Sequence, residues 1–131
     1  MQAKERARIV LADDDEDFRS ILMQWLAPYY DHVILPNGGN LIEEISMINP
    51  HLLILDVNMP GHSGIELCRE IRGYSRYTFL PILFLTGRKD DETFMRSLDV
   101  GGTAFMTKPV DRRRLLKVIG ELLDDSKVRV A

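Results

Sequence analysis

Cysteine is nearly absent from the 131 residues: Cys68 stands alone, so no internal disulfide is available. A chain of this length buries roughly two-thirds of its unfolded surface and needs no such staple. A lone thiol favours a reducing compartment. Long apolar runs are missing too. None approaches the ~20 residues of a membrane-spanning helix. The polar, basic stretch from Met1 to Arg8 precedes only four apolar residues, too few for a secretory leader. Neither sign of charge dominates. With 17 Lys and Arg against 20 Asp and Glu, the net charge is −3, without the basic footprint of a nucleic-acid or membrane-surface binder. Internal repeats and low-complexity segments are also lacking. The length suits one domain, and 45% hydrophobic with 28% charged residues is ordinary for a globular protein and too apolar for a disordered one. A cytoplasmic protein is expected.

What is present is an alternation of short apolar runs with segments of helical period. The runs are Ile9–Ala12, His32–Leu35, His51–Leu55, Pro81–Leu85 and Thr103–Met106. Three are continuously apolar, as central parallel strands covered on both faces require. Between them, Phe18, Ile21, Leu22, Trp25 and Leu26 mark a first helix that Pro28 stops, with the stripe expected in the core. Leu41, Ile45 and Ile48 mark a second, and Ile65, Cys68 and Ile71 a third that closes near Gly73. Phe94 and Leu98 mark a short fourth before Gly101-Gly102, and Leu115, Val118, Ile119 and Leu122 a fifth. Asp15 is expected to cap the first helix, Ser63 to Glu66 to form a capping box for the third, and Asp90, Asp91 and Glu92 to open the fourth. Five strands alternating with five helices predict an α/β fold, a single doubly wound five-stranded parallel sheet. Residues 1–7 read as an N-terminal extension, 8–125 as the domain, and 126–131 as a loose tail or linker stump.

In such a sheet the functional loops lie at the carboxyl ends of the strands. Asp13 and Asp14 follow strand one, Asp56 ends strand three, Thr86 ends strand four and Lys108 follows strand five. The topology therefore brings them to one edge. Two unit charges ~4 Å apart repel by about 4 kcal/mol at an effective dielectric of ~20, so three carboxylates there demand a raised pKa or a cation. Oxygen donors alone suit Mg²⁺. Lys108 adds a second positive charge and Thr86 a hydroxyl, a combination suited to an incoming phosphoryl group. Asp56 is then the candidate nucleophile, forming an aspartyl phosphate.

The segments Ala12-Asp13-Asp14-Asp15, Leu55-Asp56-Val57-Asn58-Met59-Pro60-Gly61, Leu85-Thr86-Gly87 and Thr107-Lys108-Pro109 resemble, in order, the receiver domain of two-component response regulators. The resemblance covers about residues 8 to 125 and implies a flavodoxin-like topology. It implies that Asp56 accepts phosphate from a sensor histidine kinase or a phosphotransfer protein. Asp13, Asp14, Asp56 and the backbone carbonyl of Asn58 would hold Mg²⁺, with Mn²⁺ able to substitute. Lys108 and Thr86 would contact the phosphoryl oxygens, and the Lys108-Pro109 bond would be cis. Phe105 would be the switch aromatic, moving with Thr86 to remodel the face of helix four, strand five and helix five. That face would regulate a downstream effector or a fused output domain, and a homodimer would form there. The chain would be a bacterial signalling module that assists its own phosphorylation and dephosphorylation, not an enzyme, with no direct nucleic-acid or membrane binding. Both a stand-alone receiver and part of a longer regulator or hybrid kinase are compatible with it.

Two departures stand out. Arg112-Arg113-Arg114 opens helix five where acidic residues are usual, either as a solvent-facing cluster or as a docking patch for an acidic partner. Arg88, two residues past Thr86, is expected at the rim, governing how water reaches the phosphate. His62 reads as solvated, and His32 and His51 flank strands with no ligand set in view; Met59, Met95 and Met106 read as packing. Rival families fit less well. A haloacid-dehalogenase phosphohydrolase needs an acid two residues past the nucleophile, where Asn58 stands. A flavodoxin needs a hydroxyl-rich phosphate loop where Asp13-Asp14-Asp15 would repel the flavin phosphate. A pseudo-receiver lacks an acidic residue, the lysine or the nucleophile, and none is missing here.

Overall fold

The computed structural model describes residues 6–87 and 91–130, with side chains at 6–87 and 92–124. Strand and helix alternate in the expected order: β1 Arg8–Ala12, α1 Glu16–Leu26, β2 Asp31–Leu35, α2 Leu41–Ile48, β3 Leu52–Asp56, α3 Gly64–Arg72, β4 Ile82–Thr86, α4 Asp91–Asp99, β5 Ala104–Thr107 and α5 Arg112–Val130. The five strands form one parallel sheet in the order β2-β1-β3-β4-β5. The order reverses beside β1, so a crevice opens between the carboxyl ends of β1 and β3.

Successive strand residues point to opposite faces, and here both faces are covered. Val10, Ala12, Leu53, Leu55, Ile82 and Phe84 pack with Leu41 and Ile45 of α2 and Ile65, Cys68 and Ile71 of α3. Ile9, Leu11, Leu52, Ile54, Leu83 and Leu85 pack with Leu22 and Leu26 of α1 and Leu115 and Ile119 of α5. Each buried Leu, Ile, Val or Phe among them contributes roughly 1.5–3 kcal/mol. A strand with two buried faces has no polar positions to alternate, which is why its sequence reads as an unbroken apolar run.

Helix ends follow local chemistry. The Asp15 carboxylate accepts from the Phe18 N–H at 3.2 Å, capping α1 as expected. Asp111 accepts from the Arg114 N–H at 2.9 Å at the start of α5, beyond which Arg112, Arg113 and Arg114 are all exposed. The Arg8 guanidinium donates to the carbonyls of Ile48 and Asn49 at 3.1 and 3.0 Å, closing α2 where Asn49 turns left-handed.

Several expectations need correction. Ser63 caps nothing with its side chain; the Gly64 N–H instead donates to the Val57 carbonyl at 2.9 Å, and α3 starts there. Thr103 stands outside β5, where its Oγ1 accepts from the Ile82 N–H at 2.9 Å. Over residues 126–130 the backbone continues α5 to Val130. Ile21 of the α1 stripe is exposed, as is Met95, while Met59 and Met106 are buried as packing residues. On α4 the inward positions are Thr93 and Ser97, with Val100 buried just past its end, and Phe94 and Leu98 face out. Asp90 and the Asp91 side chain lie outside the described residues.

Cys68 is fully buried, its thiol donating to the Val100 carbonyl at 3.4 Å. Burial pushes this thiol up to about 11, against a smaller downward pull from Arg72. It should therefore resist iodoacetamide in the folded protein at neutral pH and react only on unfolding. Complete labelling of the native chain within minutes would contradict that account.

Candidate acidic phosphoryl site

The carboxyl edge of the sheet gathers the expected side chains. Asp13 follows β1 and is fully buried, and Asp56 ends β3 with 5% of its surface exposed. Asp14 is exposed at the mouth. One oxygen from each of Asp13, Asp14 and Asp56 lies within 4.8 Å of the others. Lys108, which follows β5, reaches between them: its Nζ lies 2.8 Å from Asp13 Oδ2 and 3.9 Å from Asp56 Oδ2. The Lys108-Pro109 bond is cis, as expected. The Lys108 N–H donates to the Thr86 carbonyl at 2.7 Å, which ties the lysine loop to the end of β4.

Thr86 is fully buried and pairs with Thr107 in the sheet register. Phe105 pairs with Phe84, so Thr86 and Phe105 lie on the same face, two residues apart along the β4–β5 ladder. The Phe105 ring meets the edge of Phe94 on α4 at 5.4 Å between centroids. The proposed switch aromatic thus touches both the strand that carries Thr86 and the helix beside it.

Local chain chemistry shapes the pocket further. After Asp56 the two-residue strands Asn58–Met59 and His62–Ser63 pair antiparallel, turning at Gly61 with φ of 75°. The Asn58 N–H is held 3.3 Å from Asp56 Oδ1. This hairpin and Asp14 line a cleft of about 500 Å³ beside the carboxylates, with exposed His62 on its wall. Asp13 is held by α1: its Oδ1 accepts from the Asp15 N–H at 2.9 Å, and its carbonyl from Arg19 Nη1 at 2.9 Å. Sequence reasoning missed Arg19 and also Phe18, whose ring lies 4.4 Å from Lys108 Nζ. Phe18 carries the period of a core stripe, and no spacing rule separates a core phenylalanine from one beside an ammonium. Arg88 lies outside the described residues.

The charge balance is unfavourable as it stands. Burial, then the neighbouring Asp13 charge, raises the Asp56 carboxyl from an ordinary 3.8 to about 7, with a smaller upward push from a hydrogen bond with Asp14 and opposition from Lys108 and the Asn58 N–H. One ammonium does not neutralise three carboxylates, and the donors are all oxygen. A hard divalent cation fits them.

The sequence matches the response regulator receiver domain over residues 9–120. This chain belongs to that family. It is 37% identical over 116 residues to the uncharacterized transcriptional regulatory protein YrkP of Bacillus subtilis, covering 88% of this chain and 49% of that protein. The fold is similar to chemotaxis protein CheY4 of Vibrio cholerae, with a TM-score of 0.85 at 28% identity, covering 90% and 99% of the two chains. It is also similar to the BeF3-activated N-terminal receiver domain of Klebsiella pneumoniae RstA, with a TM-score of 0.81 at 30% identity, covering 88% and 97%. The chain spans about half the length of the curated relatives it matches. A receiver domain is a phosphoryl-accepting switch of two-component signalling, and the acidic cluster here is of the kind at which receivers bind Mg²⁺.

Proposed function

We propose that Asp56 is the phospho-acceptor of this receiver, taking its phosphoryl group from a sensor histidine kinase or a phosphotransfer protein. The observation that carries this reading is Lys108 Nζ lying within 2.8 Å of Asp13 and 3.9 Å of Asp56 while three carboxylates crowd within 4.8 Å. Asp13, Asp14, Asp56 and the Asn58 backbone carbonyl would hold Mg²⁺, or Mn²⁺ in its place. When bound, the cation supplies charge neutralisation of the transferring phosphoryl group.

The remaining work belongs to the chain. A carboxyl titrating at about 7 is half protonated at neutral pH. Asp56 must be ionised to attack phosphorus, so positive charge beside it both frees the nucleophile and attracts the donor. The Asp56 oxygen forms the new bond to phosphorus as the bond to the donor nitrogen breaks, and the donor imidazole leaves with its electron pair. Lys108 shifts its ammonium from carboxylate to phosphoryl oxygen, and the Thr86 hydroxyl donates to another. Moving Thr86 opens space beside β4 for Phe105, and the Phe105–Phe94 contact passes the change to α4. The face of α4, β5 and α5 then regulates a downstream effector or output domain; Phe94, Met95 and Leu98 are already exposed there, and a homodimer would use the same face. The protein assists its own phosphorylation and hydrolysis rather than turning over an external substrate, and it acts in the cytoplasm without direct nucleic-acid or membrane contact. No described helix is long and apolar enough to cross a membrane.

Incubation with acetyl phosphate and Mg²⁺ should add a single phosphoryl group by intact-mass spectrometry. Excess EDTA should abolish the adduct. Failure to form it, or indifference to EDTA, would overturn the assignment.

A further inference from the structure

The Lys108 ammonium has a third neighbour besides its two carboxylates. Its Nζ sits over the Phe18 ring, 4.4 Å from the centroid, while the Asp13 salt bridge is 2.8 Å long. Phe18 is fixed there by its own backbone, because its N–H is bound by the Asp15 cap of α1. The same first turn holds Asp13 through the Asp15 N–H and Arg19. One helical turn therefore sets both the acid and the ring that share a single ammonium.

This arrangement bears on a conflict inside the site. The proposed cation needs Asp13, yet Lys108 occupies Asp13 Oδ2. An ammonium leaving that oxygen must be stabilised elsewhere until a phosphoryl group arrives. A ring face attracts a cation without offering a ligand to a metal or competing for phosphate oxygens. A purely apolar neighbour would not serve, because it would desolvate the charge and return nothing. The long lysine stem packs against any aliphatic surface, but here the charged end itself lies 4.4 Å from the ring centre.

We propose that Phe18 is a positioning residue, its ring holding the Lys108 ammonium within reach of Asp56 while Asp13 passes to the divalent cation. This deepens the functional reading above and rests on its assignment of Asp13 and Lys108.

A double-mutant cycle on the intact chain tests it with two readouts. One is Mg²⁺ affinity by calorimetric titration with MgCl₂ alone; the other is the rate of phosphoryl uptake from acetyl phosphate at saturating Mg²⁺. Phe18→Leu keeps apolar bulk and should weaken the first and slow the second, each about three- to tenfold. Phe18→Tyr keeps the ring and should stay within about twofold of the parent, which separates loss of the ring face from loosening of α1. In a Lys108→Ala background, Phe18→Leu should change Mg²⁺ affinity no further. Equal affinities for parent and Phe18→Leu overturn the proposal. So does an undiminished Phe18→Leu effect without Lys108, since the ring would then merely support the helix. A parent that binds Mg²⁺ but takes up no phosphoryl group removes the functional assignment alone, because the affinity arm still decides Phe18. A parent that binds no Mg²⁺ removes both.

Discussion

The Asp56→Asn chain should take up no phosphoryl group and yet unfold at a higher temperature than the parent when metal is absent. The first half follows from the nucleophile: an amide has no anionic oxygen to attack phosphorus, so the loss should be complete by mass spectrometry. The second half follows from burial. Asp56 is 5% exposed beside fully buried Asp13, and its carboxyl titrates at about 7 in the fold against 3.8 in an open chain. Between those values the folded protein holds a proton that the unfolded chain has released. Stability therefore falls as pH rises through that window. The penalty is complete above a pH of about 7 and vanishes below about 4. Asparagine never acquires the charge.

A rise of this size corresponds to about 4 kcal/mol, or an increase in Tm on the order of 10 °C for a domain of this length. The gap between Asp56→Asn and parent should be widest near neutral pH and close toward pH 4. Saturating Mg²⁺ should narrow it as well, since the parent gains about 2.7 kcal/mol at a hundredfold excess over Kd and the variant, with one ligand charge fewer, gains less. Thermal melts at several pH values, with and without EDTA, check all three statements. A gap that widened toward acid would show that Asp56 is not the strained group.

Much of this site is legible in the sequence alone, for a reason that β3 and β4 make plain. Their unbroken apolar runs identify central parallel strands, central parallel strands define one functional edge, and Asp56 and Thr86 are the residues at which those runs stop. Asp15 was equally legible, because a cap is a local interaction between neighbours in sequence. The outward turn of Phe94 and Leu98 was not. Periodicity reads large apolar residues as inward, but the end of α4 lies too close to the sheet for them. A Cβ on Gly102 would fall 2.6 Å from the Phe84 ring and 2.7 Å from the Ser97 carbonyl. Only small inward side chains such as Thr93 and Ser97 fit that spacing, and the Ser97 hydroxyl turns back to the Phe94 carbonyl at 2.6 Å. The Phe18–Lys108 contact was hidden for a related reason: the two residues lie ninety positions apart and meet only through the sheet.

Close approach also makes Gly64→Ala the substitution expected to damage fold and site together. Gly64 is buried at the first position of α3, its N–H bound to the Val57 carbonyl at 2.9 Å. A methyl group there would overlap the Asp56 carbonyl oxygen and stand 3.1 Å from Val57 Cα. Both obstacles are backbone, so neither can swing aside as a flexible side chain would. Either α3 retreats from the sheet or the end of β3 tilts, at a cost of about 2–3 kcal/mol. The second response carries the Asp56 carboxylate and the Asn58 N–H with it. Misplacement of a reacting group by about 1 Å slows chemistry on the order of a hundredfold, so phosphoryl uptake should fall much further than the loss of stability alone explains. Gly120→Ala is the matched control. It sits in α5 with nothing within 4 Å of the added carbon, and alanine in a helix interior is favoured over glycine by roughly 0.5–1 kcal/mol. That variant should melt slightly higher and accept phosphate at the parental rate. Were Gly64→Ala to behave like Gly120→Ala in both assays, the tight seam between β3 and α3 would not be what holds Asp56 in place.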